Sequence, residues 1–494
     1  MIAHLQSPQE AASWLRAQVT GSLYADSRCV QSGDGFLAWP GAARDARHHV
    51  GAALQAGANA CLVERHGVEK YLFTSERIAT YGDLKVAAAP IAAAYFGEPS
   101  GQLQTVAVTG TNGKTSTAWW LAHALNKLNM TCGMVGTLGI GAPDALVPNG
   151  LTTPDPVLLQ QQLRRFVDRG FSACAIEASS IGIAEHRLDG THFDVAVFTN
   201  FTQDHLDYHG SMQSYWAAKQ SLFNWPGLRA AVINVDDPHG QALSKQLAGG
   251  GIDVWTVAID HSARLQAQAI DQTAMGSTFF VVEGAEQREL TLGALGQYNI
   301  SNMLGVIGVL RALGVSLKNA ANACCSLPAV PGRLNTLGGQ GAPLVAIDYA
   351  HTPDAIQKAL LALRPVAHSR GGQLWCVLGC GGDRDPAKRP LMAAMARAHA
   401  DRVVITSDNP RSEEPAEIIR QMLLGVSSQR VQVQPDRALA IAETVASAAP
   451  EDVILLAGKG QENYQDISGV KRPFDDTRHA QAALGLRLPA GAAG

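Results

Sequence analysis

The sequence predicts an α/β fold in three domains. Apolar, β-rich runs are repeatedly followed by helix-period segments: 105–109 then 115–128, 344–348 then 353–363, and 374–379 then 386–398. Parallel strands covered by crossover helices require that alternation. Two clusters of turn residues, Gly97-Glu98-Pro99-Ser100-Gly101 and Pro328-Ala329-Val330-Pro331-Gly332, interrupt it and place the domains near 1–98, 99–332 and 333–494. The 494 residues agree, since at roughly 150 per domain they make about three cores, each large enough to fold without a metal or disulfide staple. Short runs at 277–282 and 289–292 suggest an antiparallel appendage on the middle domain, and the Ala/Gly-rich tail from Leu488 reads as a frayed end.

Composition excludes several function classes. With 39 Lys+Arg against 43 Asp+Glu the formal net charge is −4, and no basic stripe suited to neutralising phosphates along a duplex appears, so no nucleic-acid partner is expected. The first ten residues lack a basic region followed by an apolar stretch, and nowhere do 18 apolar residues run together. Neither export nor a membrane span is expected, and the expected location is the cytoplasm. The eight cysteines sit mostly in apolar runs and read as reduced core residues. Cys376 and Cys380 lack the second Cys/His pair of a metal site.

Within 106–115 a buried strand runs through a Gly-punctuated turn, Thr109-Gly110-Thr111-Asn112-Gly113-Lys114-Thr115, into a helix. Gly110 and Gly113 let backbone N–H groups converge on phosphate oxygens at the helix N-terminus, Lys114 supplies a point charge, and the Thr115 hydroxyl suits Mg²⁺. Val108 stands where the usual pattern has its first glycine, but the strand, turn and helix context is intact. An ATP site is expected. A guanine reader is not supported, because Asn126-Lys127-Leu128-Asn129 ends in Asn inside a helix. A dinucleotide site at 379–384 is set aside because Arg384 replaces the third glycine that close helix–strand packing needs.

Other polar groups follow strand-like runs. Glu177 could ligate Mg²⁺ from a sheet edge, though such an acid is commonly a cap or a solvated group. The loop 199–209 carries His205 and His209 with Asp204 and Asp207. Lys219, in the helical stretch 214–223, would by default be an ordinary surface lysine.

Together these strings resemble the Mur ligase family, ATP-dependent amide ligases that build the peptidoglycan stem peptide. Asp26-Ser27-Arg28, the loop 110–115, Thr152-Thr153-Pro154-Asp155, Asp204-His205, Pro331-Gly332-Arg333 and Asp348-Tyr349-Ala350-His351 carry the likeness, which spans nearly the whole chain. The resemblance implies a UDP-substrate domain, a central P-loop-type ATPase domain with a mostly parallel sheet, and a Rossmann-like C-terminal domain. It implies that ATP phosphorylates the D-Glu side-chain carboxylate of UDP-N-acetylmuramoyl-L-Ala-D-Glu and that an amine displaces the phosphate. Two anions must then approach each other, so charge neutralisation should dominate catalysis.

By the same resemblance, Gly110, Thr111, Asn112, Gly113, Lys114, Thr115 and Ser116 would hold the ATP phosphates. Asn299 and Asn302 would lie on the adenine side, and Arg333 and Asp348 would contact the γ-phosphate and ribose. Thr115 and Glu177 would sit near one Mg²⁺, with His205 at a second. Lys114, His205 and Lys219 would be catalytic, Lys219 as the lysine the family carbamylates, since an amine that takes up CO₂ becomes a hard oxygen ligand. Ser27 would contact the uridine end, Thr152 and Thr153 the muramyl region, and Ser179 and Arg187 the pyrophosphate and peptide side. Glu185 and Ile181 depart from the family, which commonly has Gln and His there, and an acid near pyrophosphate is unfavourable unless it points away.

The quartet Asp408-Asn409-Pro410-Arg411 resembles the family's diaminopimelate signature. A bidentate guanidinium would bind the additional carboxylate that distinguishes meso-diaminopimelate from lysine. Arg384 and Gly458-Lys459-Gly460-Gln461-Glu462 match further amino-acid contacts, with Glu462 placed for the substrate ammonium. A monomer is expected. The alternatives are a lysine-adding member, a folylpolyglutamate-type ligase, or a P-loop switch or motor whose ATP turnover ignores amino acids.

Overall fold

The computed structural model describes residues 2–41, 44–273, 276–426 and 431–485; the tail from Leu488 lies outside them. Among the described residues, three large sheets with helices on their faces make up the fold, together with a two-stranded hairpin, Tyr464–Ile467 and Val470–Pro473. The first is five-stranded and entirely parallel, with Ala3–Leu5 at one edge, then Ile78–Tyr81, Ala60–Glu64 and Gly35–Ala38, and Leu23–Tyr24 at the other.

The central sheet has ten strands. Gln104–Thr109 lies in its interior, parallel to Ala173–Glu177 on one side and Val195–Phe198 on the other. Buried apolar layers cover both faces: helices Lys114–Lys127 and Gln297–Ala312 on one, Pro156–Asp168 on the other. Strands buried on both sides read as continuous apolar runs rather than alternating ones, which is why Val106, Ala107 and Val108 are all inaccessible. The expected antiparallel appendage is a meander, Leu265–Thr273, Gly276–Glu283 and Glu286–Leu292, that extends this sheet at one edge.

The third sheet orders Asn335–Gly338, Leu344–Asp348, Val453–Ala457, Leu374–Leu378, Arg402–Ile405 and Val431–Val433, antiparallel only at the first pair. Helix Pro353–Arg370 runs beyond its expected end at 363 and through Pro365. An interior proline costs about 3 kcal/mol, but continuing buries Val366 and Ala367, and a fully buried Val side chain returns about 1.5–3 kcal/mol.

In open parallel sheets ligands collect beyond the C-terminal strand ends. Thr109, Glu177 and Phe198 end neighbouring central strands, and Asp348, Leu378, Ile405 and Ala457 end strands of the third sheet. The residues that follow these ends face one another. One expectation fails: Cys29 is exposed and Cys325 half-buried, while the other six thiols are in the core.

Candidate active site

Gly110 and Gly113 take φ of 143° and 90°, a region that L side chains avoid. A Cβ on Gly113 would also collide with Oδ1 of Asn302, on the helix across the loop. The turn delivers Lys114 to the start of its helix, where Nζ donates to the carbonyls of Gly110 and Thr111, both at 2.9 Å. Burial lowers the Lys114 pKa, against the pull of Glu177 and Asp204. An ammonium parked on backbone carbonyls is readily transferred to a better acceptor such as phosphate.

Thr115, Glu177 and Arg333 meet in one hydrogen-bonded group. The Thr115 hydroxyl donates to Glu177 Oε2 at 2.9 Å and accepts from the Arg333 guanidinium at 3.0 Å. Thr137 donates to the same carboxylate from its N–H (2.9 Å) and its hydroxyl (3.2 Å). Burial raises the Glu177 pKa, opposed chiefly by Lys114. Every hydrogen bond to Glu177 among the described residues comes from a neutral donor, so its charge is not cancelled by direct pairing. That hard-oxygen pair fits Mg²⁺, which binds through one or two carboxylates plus phosphates and water.

Lys219 is no surface lysine: it is 1% exposed. Helix Met212–Gln220 turns it inward, where Nζ donates to Gly110 O at 2.8 Å and lies 4.5 Å from the centre of the Tyr215 ring. Burial and then the neighbouring Lys114 push its pKa well below the usual lysine value. The neutral amine so favoured is the form that reacts with CO₂. His205, at φ 53°, is held down to about 3, chiefly by burial and also by the Lys114 cation, against Asp204. It is therefore a neutral imidazole, the form that binds metal.

These residues line a cleft of about 560 Å³ that continues across the third sheet. Of the expected site residues, Ser27, Gly110, Asn299, Pro410, Lys459 and Gly460 do not line it. Gly110 lies beneath the loop. Ser27 begins a 3₁₀ turn on the first sheet, capped by the Asp26 side chain, and the fold does not bring it to the cleft. Asn299 supports Asn302 from behind, accepting its Nδ2 at 3.4 Å. On the substrate side Thr153 Oγ1 donates to Glu177 O at 2.7 Å and lies 2.9 Å from Ser179 Oγ. Arg187 donates to Thr153 O at 2.9 Å, and Thr152 lies 3.0 Å from Thr137 Oγ1. Glu185 points away, onto Lys85 Nζ at 2.7 Å and the Tyr208 hydroxyl. Ile181 remains at the cleft wall.

At the far end Arg411, at φ 50°, donates from its guanidinium to Gly382 O, and Arg384 is exposed beside it. Asn409 Nδ2 donates to Glu462 Oε2 at 2.8 Å, with Asp408 alongside. Thr137, Lys388 and the role of Lys459 are legible only in the folded chain. Thr137 and Lys388 act through partners distant in the chain, as Lys459 does through Asp408 and Asn409 beside its near neighbour Glu462. Lys388 meets Asp204, which also has the imidazoles of His205 and His351 at 3.4 and 3.6 Å. Despite burial, the His351 hydrogen bond and the Lys388 charge hold Asp204 well below the usual carboxylate range.

Comparison with known proteins agrees with this arrangement. Residues 108–310 match the Mur ligase middle domain and residues 332–460 the Mur ligase glutamate ligase domain. A UDP-N-acetylmuramoyl-L-alanyl-D-glutamate--2,6-diaminopimelate ligase from Acidovorax sp. (strain JS42) is 56% identical over 98% of each chain. A solved structure of a ligase of that name is 32% identical, with a TM-score of 0.64 over 94% of this chain and 95% of that one. A folylpolyglutamate synthase from Mycobacterium tuberculosis, at 18% identity and a TM-score of 0.63 over 82% of this chain and 96% of that one, shares the fold alone. With a phosphate loop, a buried lysine and the C-terminal Asp408, Asn409 and Arg411 converging on one cleft, and these matches running almost end to end, the chain belongs to the Mur ligase family.

Proposed function

We propose that the protein is an ATP-dependent ligase that joins meso-diaminopimelate to the D-Glu side-chain carboxylate of UDP-N-acetylmuramoyl-L-Ala-D-Glu, in cytoplasmic peptidoglycan precursor synthesis. One observation carries the reading: the phosphate loop and the Arg411, Asp408 and Glu462 group line one continuous cleft. The name of the 56% identical relative supports the same substrates. The three sheets support the division near residues 98 and 332, with uridine held by the first domain at Ser27.

The residues present suit each step. The D-Glu carboxylate oxygen attacks the γ-phosphorus, the bond to the bridging oxygen breaks and ADP leaves. Like charges about 4 Å apart repel by roughly 4 kcal/mol at an effective dielectric of 20, and Lys114 and Arg333 supply an offset of that scale. The amine nitrogen of diaminopimelate then attacks the acyl carbon, and the tetrahedral intermediate collapses to the amide, expelling phosphate. Thr115, Glu177, His205 and Lys219 would hold Mg²⁺, whose chemistry when bound is to neutralise phosphate charge. Lys219 would first form an N–C bond with CO₂ and lose a proton, becoming an anionic oxygen donor. Thr152, Thr153, Ser179 and Arg187 would orient the muramyl peptide, and Asn302 and Asp348 the nucleoside.

The test is incubation with ATP, Mg²⁺ and the muramyl dipeptide nucleotide, with lysine and diaminopimelate in equal supply, and weighing of the product. The diaminopimelate adduct is expected. A lysine adduct, or ATP hydrolysis without any adduct, would overturn the reading.

A further inference from the structure

The loop after strand Val453–Ala457 carries a cation that no step above uses. Lys459 is fully buried, and its Nζ lies 3.0 Å from Asn409 Oδ1, 3.2 Å from Glu462 Oε2 and 3.3 Å from Asp408 Oδ1. An ammonium has three N–H donors and no acceptor, so these three oxygens exhaust it. Lys459 has no donor left for a ligand. Yet all three of its partners are residues that would take the amino acid.

The group is further tied together. Asn409 spends Nδ2 on Glu462 Oε2, and its Oδ1 also accepts the N–H of Asp466 at 3.0 Å. Among the described residues no hydrogen bond reaches Oε1 of Glu462 or Oδ2 of Asp408. Two ionised carboxylates and one ammonium sum to a single negative charge beside the cleft. Without the ammonium, the two neighbouring acids would repel each other.

We propose that Lys459 is a positioning residue for the amino-acid substrate: it holds Asp408, Asn409 and Glu462 in place and leaves them one net negative charge, which takes the far ammonium of the diamino acid. Arg411 and Arg384 remain for the far carboxylate. This inference rests on the proposed ligase reading and adds to it which residue builds the ammonium subsite.

The test compares diaminopimelate with 2-aminopimelate, which keeps the far carboxylate and lacks the far amine, in the native enzyme and in K459M. In K459M, kcat/KM for diaminopimelate should fall by at least about tenfold and that for 2-aminopimelate by less than about threefold, so that discrimination between them collapses. The KM for ATP should stay within about twofold, because the phosphate loop does not touch Lys459. Equal losses with both amines, or unchanged discrimination, would overturn the proposal. Where K459M does not fold, K459R carries the test: the retained cation should preserve discrimination within about threefold, and its loss would be equally fatal. A native enzyme that incorporates no diaminopimelate would instead refute the ligase reading itself.

Discussion

The Lys388 ammonium lies 3.0 Å from Oδ1 of Asp204, both side chains being less than one-tenth exposed. Lys388 opens helix Lys388–His399 over the third sheet, whereas Asp204 belongs to the loop beyond strand Val195–Phe198, beside the phosphate loop. Nearby, Asn112 Nδ2 donates to Asp354 at 3.0 Å and Gln203 Nε2 to Asp385 at 3.3 Å. These contacts seat the third sheet directly on the nucleotide loop, so the structure presents a closed arrangement.

Breaking a buried pair by removing one partner costs about 3–5 kcal/mol because a charge is left stranded. Lys388→Met should therefore favour an open arrangement. Small-angle scattering should show a larger radius of gyration than for the native protein, and ATP with the nucleotide substrate should restore compaction. Identical profiles would mean that this pair does not hold the domains together.

Lys219→Ala should lose activity by roughly a hundredfold or more, because the proposed carbamate supplies charge at the phosphates. The loss is expected without a change in thermal unfolding, since Lys219 makes one hydrogen bond to Gly110 O and no ion pair among the described residues. Full turnover by the variant would remove the carbamate from the mechanism.

Arg411→Ala should raise KM for diaminopimelate far more than KM for ATP, by about 2–5 kcal/mol if the far carboxylate is left unpaired. Initial rates with each substrate varied in turn decide it. Parallel increases in both constants would contradict a specific carboxylate contact.

Glu185 joins the helix Leu84–Tyr95 to the central domain through Lys85. Burial alone would raise its pKa, but the hydrogen bonds from Lys85 and Tyr208 outweigh that and lower it from the ordinary 4.5. A depressed folded-state pKa means a stabilisation fully present above pH 4.5 and lost as pH falls through the lowered value. Glu185→Gln should accordingly be less stable than the native protein near neutrality, with the gap closing as pH falls below 4.5 and through the lowered value. Thermal unfolding across that range would show it, and a gap that widened on acidification would reverse the assignment.

The phosphate loop was legible because its signal is local: Gly110, Gly113, Lys114 and Thr115 act within a six-residue turn whose backbone needs are visible in the residue types. Strand–helix alternation was legible for the same reason, and erred where packing overrode a local signal, as at Pro365. Cys29 was misjudged, and the default reading of Lys219 as a surface residue failed, because exposure depends on what packs over a helix or turn. The direction of Glu185 required Lys85, exactly one hundred positions earlier in the chain.

What the residues alone determined was the α/β class and the strand, turn and helix at 104–127, since spacing along a chain dictates turns, helix starts and which side chains share a strand end, whereas the quartet at 408–411 was read only through its family resemblance. Only the tertiary structure decided that Lys219 is buried with its pKa pushed down, that Lys459 spends all its donors on the quartet and its neighbour Glu462, and that Ser27 stands apart from the cleft. Desolvation and charge pairing arise between segments that meet only after folding, and no one-dimensional spacing carries them.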